Sequence, residues 1–355
     1  MTARTPYIAA LIAFSLLIAA CTSDDDTATP ASTATAVAET AATTSTTVAA
    51  AEPLDPDGFY LNLMWHQHQP QYPKTEDGVV TRPWVRAHAT KDYYDMAALI
   101  AEFPDVHATF NLTPVLLLQL EELANGTKDL YWVLSEVPAN DLSADQKQFI
   151  QDRFFDTNPR IIARFPRYQE LADRRDSADF SEQDYRDLQV LFNLAWTDPS
   201  FLAQEPLAAL VAKERDYTED DKAVIFAEHL RIIQAVPEIH RELWDAGQIE
   251  VTTSPLAHPI VPLVADTSLA AVGDPTGIAP TQRFREVNDA VTQVQRGLDE
   301  AERILGRRPV GMWPGEGAVA QQVMGIFSKE GVERVATGED VLANTCLLYT
   351  SDAAD

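Results

Sequence analysis

Cysteine is nearly missing: Cys21 and Cys346 are the only two in 355 residues, which excludes a disulfide scaffold. Basic side chains are scarce, 27 Lys and Arg against 54 Asp and Glu, for a net charge of −27. That balance argues against nucleic acid as the main partner, because a phosphate-binding surface needs clustered cations to displace counterions. The apolar run at 7–20 is shorter than the ~20 residues that span a bilayer. Gly-rich phosphate loops with Lys, Gly-x-Ser-x-Gly elbows, and His-Glu-x-x-His or His-x-x-x-His pairs do not occur. Phosphoryl transfer, serine-ester hydrolysis and zinc binding therefore have little support. With 46% hydrophobic and 23% charged residues, the chain has an ordinary globular composition.

The first segment reads as an address. Residues 1–21 open with Arg4, continue through the apolar run and end at Cys21, the layout of a secretory signal. Leu17-Ile18-Ala19-Ala20-Cys21 resembles the lipobox of bacterial lipoproteins. That resemblance implies a lipidated Cys21 and a protein held outside the cytoplasm on a membrane by that anchor; the alternative is a cleaved signal with an incidental Cys. Residues 22–57 are mostly Thr, Ala, Ser, Val and Asp without an aromatic residue. Such chain buries too little apolar surface to offset its ordering entropy, so a flexible tether is expected.

Downstream, strand-like runs alternate with helical ones. Residues 59–66 are apolar, aromatic and period-2, with Phe59, Leu61, Leu63 and Trp65 on one face and His66 and His68 on the other. A second strand is expected over 106–111, followed by Thr113-Pro114 and a helix through Leu116, Leu120 and Leu123. Between about 140 and 246 only helix signals occur, with capping boxes at Ser143/Gln146, Ser181/Asp184 and Thr218/Asp221. One helix is expected from about 219, and Gly247 is placed to cap the next. Further strands are expected at 248–253, 309–313 and 332–336, with an amphipathic helix from Val287 to Leu305. Strands separated by helices predict an α/β fold built on a parallel sheet, open or closed into a barrel, with a large helical insertion.

Polar residues gather where these strands end, which is where α/β folds bind ligands. Glu316 is the sharpest candidate: Gly315 and Gly317 let the backbone turn tightly around it, and Trp313 offers a stacking face suited to a sugar ring. The alternative is a carboxylate that merely favours the N-terminus of a helix starting near Ala318. His66 and His68, two apart on a strand, point the same way and suit a polyol, a metal or a structural role. The segment 82–94, with Trp84, Arg86 and His88, either lines a carbohydrate cleft or is a solvated loop with a helix start.

Five of these pieces, in order, resemble glycoside hydrolase family 57: His66-Gln67-His68-Gln69-Pro70, residues 84–94, Thr109-Phe110-Asn111-Leu112-Thr113-Pro114, residues 247–259, and Gly311-Met312-Trp313-Pro314-Gly315-Glu316-Gly317. The resemblance implies a (β/α)7 barrel and retaining chemistry on α-glucosidic bonds of an α-glucan or maltooligosaccharide. It implies Glu316 as the nucleophile, no cofactor or metal, and His66, His68 and His258 lining the sugar site. Trp84, Arg86 and Trp313 are implied as substrate contacts. Retaining chemistry needs a second carboxyl group roughly 5 Å from the first. The family's acid/base is an Asp on a later strand, which this chain does not reach, so an incomplete barrel and an inactive chain are expected. Residues 346–355 read as a non-native tail, so neither Asp352 nor Asp340, too close after Glu316, is assigned that role. Two other readings remain: a glycan-binding lipoprotein without catalysis, and a polysaccharide deacetylase, which would need the missing His-x-x-x-His pair.

Overall fold

The computed structural model describes residues 58–176, 179–273, 276–277, 280–339 and 341. Cys21, the tether, Asp340 and the tail at 346–355 lie outside them. The chain divides into Met1–Phe59 and Tyr60–Asp355, and the fold described here belongs to the second unit.

Its framework is a series of short parallel strands in chain order. β1 (Met64–Gln67) pairs with β2 (Ala108–Leu112), which pairs with β3 (Ile249–Thr252). β4 (Gly311–Met312) pairs with β5 (Arg334–Val335), and a bridge between Thr253 and Met312 joins β3 to β4. Five parallel strands in sequence order form an arc of barrel wall that does not close among the described residues.

The apolar run before β1 is not a strand. Phe59 and Leu61 are 93% and 71% exposed, because β2 begins at Ala108 and pairs with β1 only from Met64 onward. The outward face of the strands is the core. Phe110, Leu112, Ile249 and Val251 pack with Leu243, Trp244, Ala301 and Leu305 from two helices, α5 (Glu219–Asp245) and α6 (Val287–Leu305). Each such side chain contributes ~1.5–3 kcal/mol on leaving water.

Residues 84–94 are helical: α1 (Trp84–His88) runs through a π-wound turn, Ala89–Tyr93, into α2 (Tyr94–Ala101). Thr113 stands at the N-cap position of α3 (Pro114–Ala124) without a side-chain cap bond, and the helix's first residue is the proline that suits that position. All three expected capping boxes form, including that of Ser181 at the start of α4 (Glu182–Ala195). They open helices of an α-helical region with its own apolar centre around Tyr131, Phe154, Leu188 and Phe192. Where two helices were expected before Gly247, α5 is one continuous helix carrying Pro237 inside it. Its buried face, with Ile225, Ile232, Ile233, Val236 and Leu243, packs along its whole length and outweighs the hydrogen bond that proline removes.

Candidate active site

Strand alternation puts His66 and His68 on the inward side of the arc, opposite the core-facing Trp65. In the parallel register His66 stands beside Asn111, and Asn111 beside Thr252, so one inward row crosses three strands. His66 Nδ1 lies 2.6 Å from Asn111 Oδ1. One residue past the ladder, His68 Nδ1 lies 3.3 Å from Thr113 Oγ1.

The other half of the site comes from the ends of β3 and β4. A tight turn, in which His258 N–H donates to Pro255 O, gives His258 a φ of 56°. Its ring centroid then sits 4.4 Å from that of His68 and 5.0 Å from that of His66. Trp313 stacks on His66 at 5.3 Å. Glu316 occupies a 3₁₀ turn, Gly315–Gly317, directly after β4, exposed and with a φ of 57°. A Cβ on Gly315 would meet Pro259 O at 2.2 Å, so the turns bearing His258 and Glu316 touch backbone to backbone. The next helix, α7 (Gln321–Lys329), begins five residues after Glu316, so the carboxylate does not sit in its first turn. Positive φ in a non-glycine residue is strained; of the four such residues described, His258 and Glu316 lie together here, and Glu214 and Asp216 lie in the helical region.

Burial, then the neighbouring His68 and His66, pushes His258 down to about 4, and its Nδ1 has no hydrogen-bond partner among the described residues. Burial and His66 also lower His68, while the nearby charge of Glu316 opposes them. The result is an exposed carboxylate beside imidazoles held toward their neutral form, with an indole face alongside. Such a surface can stack a sugar ring and exchange hydrogen bonds with its hydroxyls. Among the described residues, no group of three or more His, Cys, Asp or Glu is set to hold a metal ion.

The family model for glycosyl hydrolase family 57 matches residues 62–351. The chain belongs to glycosyl hydrolase family 57.

Among solved structures, an α-amylase from Thermotoga maritima matches with 13% identity and a TM-score of 0.36, covering 77% of this chain and 38% of that one. The family 57 branching enzymes of Pyrococcus horikoshii and Thermococcus kodakaraensis match at 16% and 17% identity, with TM-scores of 0.39 and 0.40. Both matches cover 78% of this chain, and 41% and 39% of the respective enzymes. The chain therefore spans about two-fifths of the length of the structures it matches. No curated protein matches.

Two residues that the family 57 resemblance implied as substrate contacts do not join this cluster. Arg86 is fully buried. Its guanidinium is held by Asp129 at 2.6 and 3.2 Å, by Asn193 Oδ1 at 2.7 Å and by His229 Nδ1 at 3.2 Å, and it lies over the rings of Trp132 and Phe226. It joins α1 to the helical region and has no face left for substrate. Trp84 is half-buried, its ring against Trp196 at 5.6 Å and Tyr131 at 6.4 Å rather than against the histidines. Trp196 in turn meets His88, His88 meets Tyr93, and the Tyr93 hydroxyl accepts from Gln69 Nε2 at 3.1 Å, next to His68.

Asn111 was not singled out from the sequence as a site residue, although a signal was present. It interrupts an apolar strand at an inward position, two residues before Thr113.

Proposed function

We propose that this chain is the N-terminal catalytic part of a retaining α-glucan-active hydrolase or 4-α-glucanotransferase, with Glu316 as the nucleophile. The observation that carries the reading is Glu316 itself. It is an exposed carboxylate on a strained turn at a strand's C-terminal end, near His68 and seated against the turn bearing His258. In this chemistry Glu316 attacks the anomeric carbon as the glycosidic C–O bond breaks, and a second carboxyl group protonates the departing oxygen. The family 57 resemblance gives that role to an Asp. His66, His68, His258 and Trp313 orient the sugar. Water completes hydrolysis, or a sugar hydroxyl completes transfer.

A 5-fluoroglycosyl fluoride of the α-gluco series, incubated with the full-length protein, should leave a glycosyl adduct on the peptide containing Glu316. Glu316→Gln should cut kcat at least a thousandfold. An adduct elsewhere, or a variant of normal rate, overturns the assignment.

The same reading places the protein outside the cytoplasm, anchored through Cys21, on the strength of Leu17-Ile18-Ala19-Ala20-Cys21. Cys21→Ser should move the protein out of the membrane fraction, and unchanged fractionation counts against the anchor.

A further inference from the structure

Asn111 is completely buried at the centre of the inward row, between His66 on β1 and Thr252 on β3. The two ends of its amide can be told apart by their partners. Nδ2 lies 2.8 Å from the backbone carbonyl of Thr253 and 3.1 Å from Thr252 Oγ1. A carbonyl oxygen only accepts, so the NH2 end must face β3 and the Oδ1 end must face β1. The Ser254 hydroxyl donating to Oδ1 at 3.2 Å agrees with that orientation. Oδ1 also lies 2.6 Å from His66 Nδ1, and an amide oxygen cannot donate. The hydrogen between them therefore belongs to His66 Nδ1. His68 has no such constraint, because its partner, the Thr113 hydroxyl, can donate or accept.

We propose that Asn111 is a positioning residue that fixes a proton on His66 Nδ1, so that the neutral ring takes the Nδ1–H tautomer and its Nε2 meets a bound sugar as a hydrogen-bond acceptor for a hydroxyl. His66 is exposed, with Trp313 stacked on one side and His258 nearby, so Nε2 is open to a ligand that reaches the rings. Three strands contribute to this one proton's location: β1 supplies the imidazole, β2 the amide, and β3 with the two residues after it the carbonyl and hydroxyls that orient the amide. The statement about the sugar rests on the proposed glycosidase function; the tautomer does not.

Two-bond 1H–15N correlation spectra of the chain labelled at its seven histidines, with His66 assigned through His66→Gln, read the tautomer directly. The expected pattern for the neutral ring is a protonated Nδ1 and a bare Nε2, and a protonated Nε2 with bare Nδ1 overturns the proposal. Asn111→Leu should shift His66 toward the Nε2–H form. Should that variant not fold, Asn111→Asp serves, since it keeps an acceptor against Nδ1 and adds a negative charge. The neutral ring should then keep its Nδ1–H form, and an Nε2–H form in that variant overturns the contact. In the full-length protein, Asn111→Leu should lower kcat/KM more than Asn111→Asp, which keeps the acceptor against Nδ1. A full-length protein that cleaves no glucoside while its His66 shows the expected spectrum would retire the glycosidase reading and leave the tautomer assignment standing.

Discussion

Arg86 shows how a single residue's role depends on whether its charge meets water. Buried and hydrogen-bonded to Asp129, Asn193 and His229, its guanidinium satisfies groups that would otherwise be stranded without solvent. Arg86→Lys offers one point charge in place of a planar fork and should lower unfolding free energy by ~3 kcal/mol in chemical denaturation. Arg86→Lys in the full-length protein should leave the KM for maltooligosaccharides within a factor of two. Glu316 makes the opposite case, a residue placed at the expense of stability. At a φ of 57° it sits where a side chain costs roughly 1 kcal/mol that glycine does not incur. Glu316→Gly should therefore raise stability by ~1 kcal/mol, seen as a higher denaturation midpoint, while removing the carboxylate that the proposed chemistry requires.

Between elements, the site depends on how closely two turns approach. Gly315 lies where any side chain would strike Pro259 O and His258 O, both of them backbone atoms that cannot swing aside. Gly315→Ala should cost ~1–3 kcal/mol by overpacking. It should also push the Glu316 turn away from His258, lowering kcat/KM of the full-length protein while leaving its secondary structure, by circular dichroism, unchanged. On the other side of this turn, Thr337 Oγ1 donates to Gly317 O at 2.6 Å, so the segment after β5 also steadies it. Three helix starts, at Ser143, Ser181 and Thr218, were legible because a capping box is made between side chain and backbone within four residues. The extent of β1 was not, since an apolar period-2 run becomes a strand only where a partner strand lies alongside.

For the molecule as a whole, the arc leaves its inward face open. A cavity of about 240 Å³ lies there, lined by residues including Met64, Thr109, Thr252 and Met312, and the Glu250–Arg334 ion pair crosses from β3 to β5. Protonation links the core to stability. His240 is fully buried against Phe110, its Nδ1 bonded to Val236 O at 2.8 Å, and burial lowers it to about 4; burial and then Arg86 also push His229 well down. Both bind protons more readily when unfolded, near pH 6.5. Stability should thus be unaffected by these groups above that pH. It should fall as pH drops from about 6.5 to 4, with a limiting slope of ~1.4 kcal/mol per pH unit for each. Carboxylates held low, such as Asp184 at about 2, add their own loss only from about pH 5 downward. His240→Leu should flatten the decline measured by denaturation at pH 7, 6, 5 and 4; an unchanged slope would show that His240 is protonated in the folded protein.

Local patterns in the chain determined the order of strands and helices, three capped helix starts, and a tight glycine-flanked turn around Glu316. They also placed His66, His68, His258, Trp313 and Glu316 at strand ends, because alternation and turn chemistry act over two to five residues. Only the tertiary structure decided that Arg86 is sealed among the helices and that His258 stacks on His68. It alone put Asn111 between β1 and β3 with its oxygen toward His66. Those outcomes depend on register and on contacts between residues more than forty positions apart, and no local pattern encodes them.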